Sequence, residues 1–219
     1  MTLPTLTPHE SRTLGTLVEK AQTTPQQYPL TLNALVNGCN QKNNRDPVTT
    51  LTDDDVLAAL EGLRSKELAR EALLAGSRVH KYRHVARERL AVCTAELIVL
   101  TELLLRGPQA PGELRSNAQR MMPPGDASLS TLESTQSVLD GLRSRPEPMV
   151  VKLPRRPGER AERYAQLLCP DLHPLDDPAP HSPTVAPRAE PHSNLNERVE
   201  QLESEVASLR AALERLGAL

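Results

Sequence analysis

The chain contains no phenylalanine and no tryptophan, and only three tyrosines. That scarcity argues against readers of single-stranded nucleic acid, which stack bases on aromatic platforms. It also leaves leucine, valine and alanine to pack any core. Three cysteines, Cys39, Cys93 and Cys169, form no close-spaced pair, so neither a disulfide framework nor a zinc knuckle is expected. No apolar run approaches the ~18 residues of a membrane span. Met1-Thr2-Leu3-Pro4 lacks the basic-then-apolar layout of a secretory signal, so a cytoplasmic protein free of the membrane is expected. Also missing are a phosphate-cradling glycine loop, an HExxH helix and a nucleophile elbow; neither enzymatic activity nor a cofactor or metal is expected. Charge of one sign is scarce too. Ten basic side chains face nine acidic ones in residues 1–86, twelve face ten in 87–168, and four face nine in 169–219. No zone has the basic excess of a module held on nucleic acid by total charge, so any such contact must come from local patches.

What is present is an internal repeat. Leu60-Glu61-Gly62-Leu63-Arg64-Ser65 matches Leu139-Asp140-Gly141-Leu142-Arg143-Ser144, and Gly76-Ser77-Arg78 with Lys81-Tyr82 matches Gly158-Glu159-Arg160 with Arg163-Tyr164. Self-similarity in one order and at similar offsets signals one structural unit used twice. In the first copy, Thr7-Pro8-His9-Glu10 offers a threonine cap, proline at the first helical position and a glutamate placed to reach back. Thr31 caps a second helix running to about Gln41, and Thr52 a third, whose Asp53, Asp54 and Asp55 suit the positive end of its dipole. Segments 68–74 and 78–85 read as strands about a turn. The second copy gives helices near 94–106, 111–121 and 129–143 and strands 149–153 and 163–168. Three helices and a hairpin, twice, predict a mainly α protein with small β-hairpins (α+β). The expected architecture is tandem winged-helix domains, at 1–86 and 87–168.

Seven prolines between Pro170 and Pro191 make 169–193 an expected disordered linker. Beyond it, Leu195, Leu202, Leu209 and Leu216 recur every seven residues, with Val199, Val206 and Leu213 four after a leucine each time. Leucine at d with valine at two a positions predicts a parallel two-stranded coiled coil over 194–219, and hence a homodimer. Arg198 would face Glu203, and Glu205 would face Arg210. An amphipathic helix lying on its own domain is the alternative.

The stretch Thr23-Thr24-Pro25-Gln26-Gln27-Tyr28-Pro29-Leu30, with Asn33, Cys39-Asn40-Gln41-Lys42 and Asn44-Arg45-Asp46-Pro47-Val48, resembles the YceH-like family of bacterial proteins. So does Leu103-Leu104-Leu105-Arg106-Gly107 followed by Pro111-Gly112-Glu113-Leu114-Arg115 and Arg120-Met121. The resemblance covers residues 3–168 and implies tandem winged helices in a bacterial cytosolic protein, but no activity. It says nothing about the heptads.

Tandem winged helices suggest duplex DNA, with the third helix in the major groove and the wing at phosphate or the minor groove. Helical geometry places Asp54, Ala58, Glu61 and Ser65 on the exposed face of the first third helix, with Asp55 at its edge. In the second copy the positions are Glu133, Ser137, Asp140 and Ser144, with Gln136 at the edge. Neither face offers the basic side chain that reads guanine. The expected phosphate contacts are instead the second wing, Arg155, Arg156, Arg160 and Arg163, together with Lys42 and Arg45 between helices two and three. The Asn-rich loop around Asn40 and Gln41 also suits helix capping, which is its favoured reading, and Tyr28 could pack over it. A homodimeric DNA-binding regulatory protein is one reading. The other is a protein-interaction scaffold whose Asp54, Asp55 and Glu61 meet a basic partner. Cys39 reads as a buried thiol, Tyr82 and Tyr164 as core. His80 and His84 share a strand face without evident ligands, and His173, His181 and His192 read as solvated linker residues.

Overall fold

A computed structural model describes residues 3–72, 79–155 and 161–173, all within a compact unit spanning residues 1–175. Helix α1 (Pro8–Thr23) starts where a capping box forms: the Glu10 amide donates to Thr7 Oγ1 at 3.3 Å and Glu10 Oε2 accepts from the Thr7 amide at 2.8 Å. A 3-10 turn at Pro25–Gln27 leads into strand β1 (Leu30–Thr31), and Thr31 then caps helix α2 (Leu32–Cys39). Helix α3 (Asp53–Ser65) opens with a second capping box, Thr52 with Asp55. Strands β2 (Ala69–Ala72) and β3 (Lys81–His84) pair antiparallel, and β1 adds to the other side of β3, giving the order β1-β3-β2. Two residues are too short to show an alternation, so the sequence offers no sign of β1. The four-residue helix α4 (Ala86–Arg89) is likewise too short to predict.

The second copy follows as α5 (Thr94–Arg106), α6 (Pro111–Ala118) with a 3-10 turn at Gln119–Met121, α7 (Leu132–Arg143), and the hairpin of β4 (Val150–Leu153) and β5 (Arg163–Gln166). Thr131 caps α7, so that helix begins three residues later than the pattern predicts. Among the described residues, no helix is long and apolar enough to cross a membrane.

The repeat motif has a physical cause visible in both copies. Glu10 sits in the first turn of α1 and Glu96 in the first turn of α5; each reaches the glycine of the Leu-acid-Gly-Leu-Arg-Ser motif and the cation four residues beyond it. A β-carbon on Gly62 would lie 1.9 Å from Glu10 Oε1, and one on Gly141 would lie 3.9 Å from Glu96 Oε1. Lys66 pairs with Glu10, while Arg145 Nη2 lies 3.0 Å from both Glu96 carboxylate oxygens. The matched tyrosines also agree: Leu30 pairs with Tyr82, and Gln109 bridges to Tyr164 at the corresponding place in the second copy. Tyr82 and Tyr164 are both buried, as expected.

One hydrophobic core runs through both copies. Its axis is α1 against α5, with α3 and α2 also packed on α1. The two central helices approach closely because Gly15 has no side chain; a β-carbon there would meet Leu105 Cδ2 at 2.7 Å. Covered from several sides, α1 buries Glu10, Ser11, Arg12, Thr13, Thr16 and Glu19 along with Leu14, Leu17 and Val18. The simple stripe of Leu14, Leu17 and Val18 therefore understates its burial. The core extends past Leu168, whose carbonyl accepts from the Leu6 amide at 2.6 Å; Cys169 is buried and Leu172 packs on the core. His173, expected as a solvated linker residue, instead donates from Nε2 to the Asp46 carbonyl, 2.9 Å away, over Gly107. Residues 169–173 thus belong to the packed unit. The remainder of the proline-rich segment and Leu195, Val199, Leu202, Val206, Leu209, Leu213 and Leu216 lie outside the described residues.

Candidate nucleic-acid interface

The third helix of each copy turns Val56, Leu60 and Leu63, or Leu139 and Leu142, inward. Asp54, Ala58, Glu61 and Ser65 are exposed on α3, with Asp55 half-buried because its carboxylate caps Thr52. On α7, Glu133, Ser137 and Ser144 are exposed. Asp140 is half-buried and occupied: it lies 3.1 Å from Arg143 Nη2 and accepts from Gln136 Nε2 at 3.2 Å. The second face is therefore less negative than its residue types suggest. Gln136 also donates to the Tyr164 hydroxyl at 2.7 Å, tying α7 to β5.

The loop between α2 and α3 is built inward rather than toward a ligand. Asn40 clamps the backbone of Leu51, accepting from its amide at 2.7 Å and donating to its carbonyl at 2.8 Å. Arg45, expected to face phosphate, is buried: it donates to Glu19 Oε2 at 2.5 Å and Oε1 at 3.2 Å, and to the Gly38 carbonyl at 2.8 Å. The cost of burying a guanidinium is offset by this bidentate pairing, which leaves no donor face for an external anion. Gln41 accepts from the same group at 3.3 Å, and Lys42 is the exposed cation of the loop. Tyr28 does not cover the loop; its hydroxyl accepts from the His84 amide at 2.6 Å, with its ring 6.1 Å from the imidazole. Asn33 is exposed and accepts from Asn37. Glu113 accepts from the Ala110 amide at the start of α6, beside an open Gly112 and a half-buried Arg115.

The second hairpin carries Arg155, exposed, and Arg163, half-buried; Arg156 and Arg160 lie outside the described residues. Its other cation, Lys152, pairs with Glu162 at 2.6 Å. An open groove of about 760 Å³ separates α6, α7 and this hairpin, with Glu113, Glu133, Glu162 and Arg155 on its walls around an exposed Leu132. Carboxylates outnumber the guanidinium there, so the groove is a poor seat for an anion.

An ion-pair network on two buried carboxylates, Glu19 and Glu102, had no sequence signal. Arg120 places Nη1 2.5 Å from Glu19 Oε1 and Nη2 2.8 Å from Glu102 Oε1, and Arg106 Nε lies 3.1 Å from Glu102 Oε2. Glu19 is on α1 and Glu102 on α5, so one arginine ties the first copy to the second. Burial pushes the Glu19 carboxyl up, but hydrogen bonds and charge from Arg45 and then Arg120 outweigh it and hold the carboxyl below its ordinary range. Arg12, fully buried, donates to the carbonyls of Cys39 and Pro47; burial, reinforced by Arg45, pushes it down to about 10. Burial likewise raises the Cys39 thiol, consistent with a packing role. His80 meets Glu71, a carboxylate neighbour the sequence did not reveal.

A family model described as a protein of unknown function, DUF480, matches residues 6–159. The chain is 47% identical over 203 residues to the UPF0502 protein of Geobacter sulfurreducens, covering 91% of this chain and 88% of that one. It is 45% identical over 215 residues to the UPF0502 protein of Mesorhizobium japonicum, covering 98% of each, and 44% identical over 216 residues to that of Klebsiella pneumoniae, covering 96% and 95%. The chain belongs to this DUF480, or UPF0502, family of bacterial proteins, in line with its YceH-like motifs. The Mesorhizobium match takes in nearly the whole chain, so it reaches beyond the motifs into the proline-rich segment and the heptads.

Proposed function

We propose that the two copies are winged-helix units and that the chain is a homodimeric duplex-DNA-binding protein of regulatory, non-catalytic role in the bacterial cytoplasm. The observation that carries this reading is the twice-built unit in which a third helix, packed by one side, leaves its other side exposed beside an antiparallel hairpin. The heptads from Leu195 to Leu216 supply the pairing of chains, so four such units would face one duplex. Buried Arg45 takes no part in DNA contact; Lys42 and Arg155 remain as outward cations. The test is capture from bacterial extract by the full-length chain, with and without nuclease, with bound DNA sequenced and bound proteins identified. Reproducible DNA enrichment supports the reading. Nuclease-resistant protein enrichment without DNA overturns it.

That second outcome would favour a scaffold. Asp54 and Glu61 are exposed on α3, and among the described residues no cation pairs with either. Charge reversal at both positions would then abolish capture of a basic partner.

A further inference from the structure

The outer face of the first sheet carries a charge arrangement that the fold itself does not explain. In the β2–β3 ladder Arg70 stands directly opposite Arg83, and Ala72 opposite Lys81. Side chains alternate across a strand, so Arg70, Ala72, Lys81 and Arg83 share one face, while Ala69, Glu71, Tyr82 and His84 share the other. The burial pattern agrees: Ala69 and Tyr82 are buried, and Arg70 and Arg83 are exposed. Thr31 of β1, opposite Lys81, completes the outer face.

Directly opposed like charges weaken a sheet, because their β-carbons lie only about 4.5–5.5 Å apart. Sheets relieve this with a neighbouring carboxylate. Here the one acidic residue of the two strands, Glu71, points to the opposite face and meets His80. Among the described residues, none of Arg70, Lys81 and Arg83 is in an ion pair. In the second hairpin, by contrast, Lys152 is held by Glu162.

We propose that this face, Arg70 and Arg83 with Lys81, is the principal phosphate-contacting surface for duplex DNA. It replaces the second hairpin in that role. The inference rests on the DNA-binding reading above and assigns the contact to a place that reading does not require. Two guanidiniums side by side and an ammonium two residues along the same strand form a short cationic strip, with no carboxylate of either strand on that face. Each phosphate neutralised releases counterions, so the strip should appear as a salt-dependent contribution independent of DNA sequence.

The experiment titrates a labelled random-sequence duplex with the full-length protein at several salt concentrations, comparing the native chain with Arg70→Glu. That substitution turns a repulsive cross-strand pair into an attractive Glu–Arg pair, so the melting temperature should hold or rise while two phosphate contacts are lost. The expected result, for each engaged chain, is a log–log salt slope flatter by about 2 and binding weaker by a factor of roughly 60 near 0.1 M salt. If Arg70→Glu fails to fold, the double variant Arg70→Ala with Arg83→Ala, which only removes repulsion, gives the same readout. A native chain that binds with a steep slope, alongside a folded variant with unchanged affinity and slope, overturns the assignment and leaves the DNA reading standing. A native chain with no duplex affinity even at 50 mM salt overturns both.

Discussion

Replacing Arg120 with Met should destabilise the protein by about 3 kcal/mol, near the low end of the cost of breaking a buried ion pair. The geometry sets that magnitude. Arg120 contacts Glu19 at 2.5 Å and Glu102 at 2.8 Å; its side chain is 29% exposed, but the carboxylates are 1% and 0% exposed, so the cost arises from unpairing them. Each keeps a second cation after the substitution, Arg45 for Glu19 and Arg106 for Glu102, so neither is left wholly unpaired. For a domain of this size about 3 kcal/mol corresponds to roughly 6–12 °C in Tm. Urea unfolding at pH 7 measures it directly, with an unchanged denaturant slope as the sign that the variant unfolds in the same way. A double-mutant cycle with Glu102→Gln should return a coupling of at least about 1 kcal/mol. The pH dependence has a definite sign. The folded Glu19 carboxyl titrates below its unfolded value of 4.5, so its stabilisation is complete above that pH and is lost as pH falls through the lower folded value. Arg120→Met should therefore lose less stability on acidification than the native chain. A loss under about 1 kcal/mol with no coupling, as expected of a solvent-screened surface pair, would refute the claim that this arginine joins the two copies.

The repeat itself predicts opposite signs for one substitution. Gly141→Ala should raise stability by about 0.5–1 kcal/mol through helix propensity, whereas Gly62→Ala should lower it by about 1 kcal/mol because the Glu10 carboxylate must leave both Lys66 and the Thr7 amide; thermal unfolding of the pair decides. Burial, opposed by Glu88 and aided by Arg83, pushes His84 down to about 4 from 6.5. The unfolded chain therefore binds the extra proton first, and up to about 3 kcal/mol of stability drains away between pH 6.5 and 4; stability profiles of the native chain and His84→Gln should diverge in that window. A chain ending at residue 175 should sediment as a monomer if the heptads cause pairing, and a dimer there would defeat that assignment. A chain ending at Leu168 should melt lower than the one ending at 175, since it loses buried Cys169 and the contacts of Leu172 and His173.

Helix starts in the first copy were legible because capping is local chemistry: Thr7, Thr31 and Thr52 each accept a backbone amide three residues on, whereas the same cap at Thr131 was missed and α7 was expected from 129. The exposed face of α3 was legible because Val56, Leu60 and Leu63 fix its rotation. The Arg45–Glu19 pair was not, because its partners are 26 residues apart and an asparagine-rich loop reads as solvated whichever way its cation turns. Nor was the Arg120 bridge, whose Glu19 lies on a helix enclosed from several sides, where the rule of one apolar stripe fails. Register decided the remaining difference. That Arg70 faces Arg83 depends on the length of the intervening turn, and a shift of one residue would have placed the arginines on opposite faces.

Protection of individual arginines from a guanidinium-selective reagent, read by mass spectrometry with and without duplex DNA, decides whether the β2–β3 strip meets phosphate. Duplex should slow modification of Arg70 and Arg83 together, while exposed Arg87, off the sheet, should react at an unchanged rate. Equal rates at Arg70 and Arg83 with and without bound duplex would contradict it.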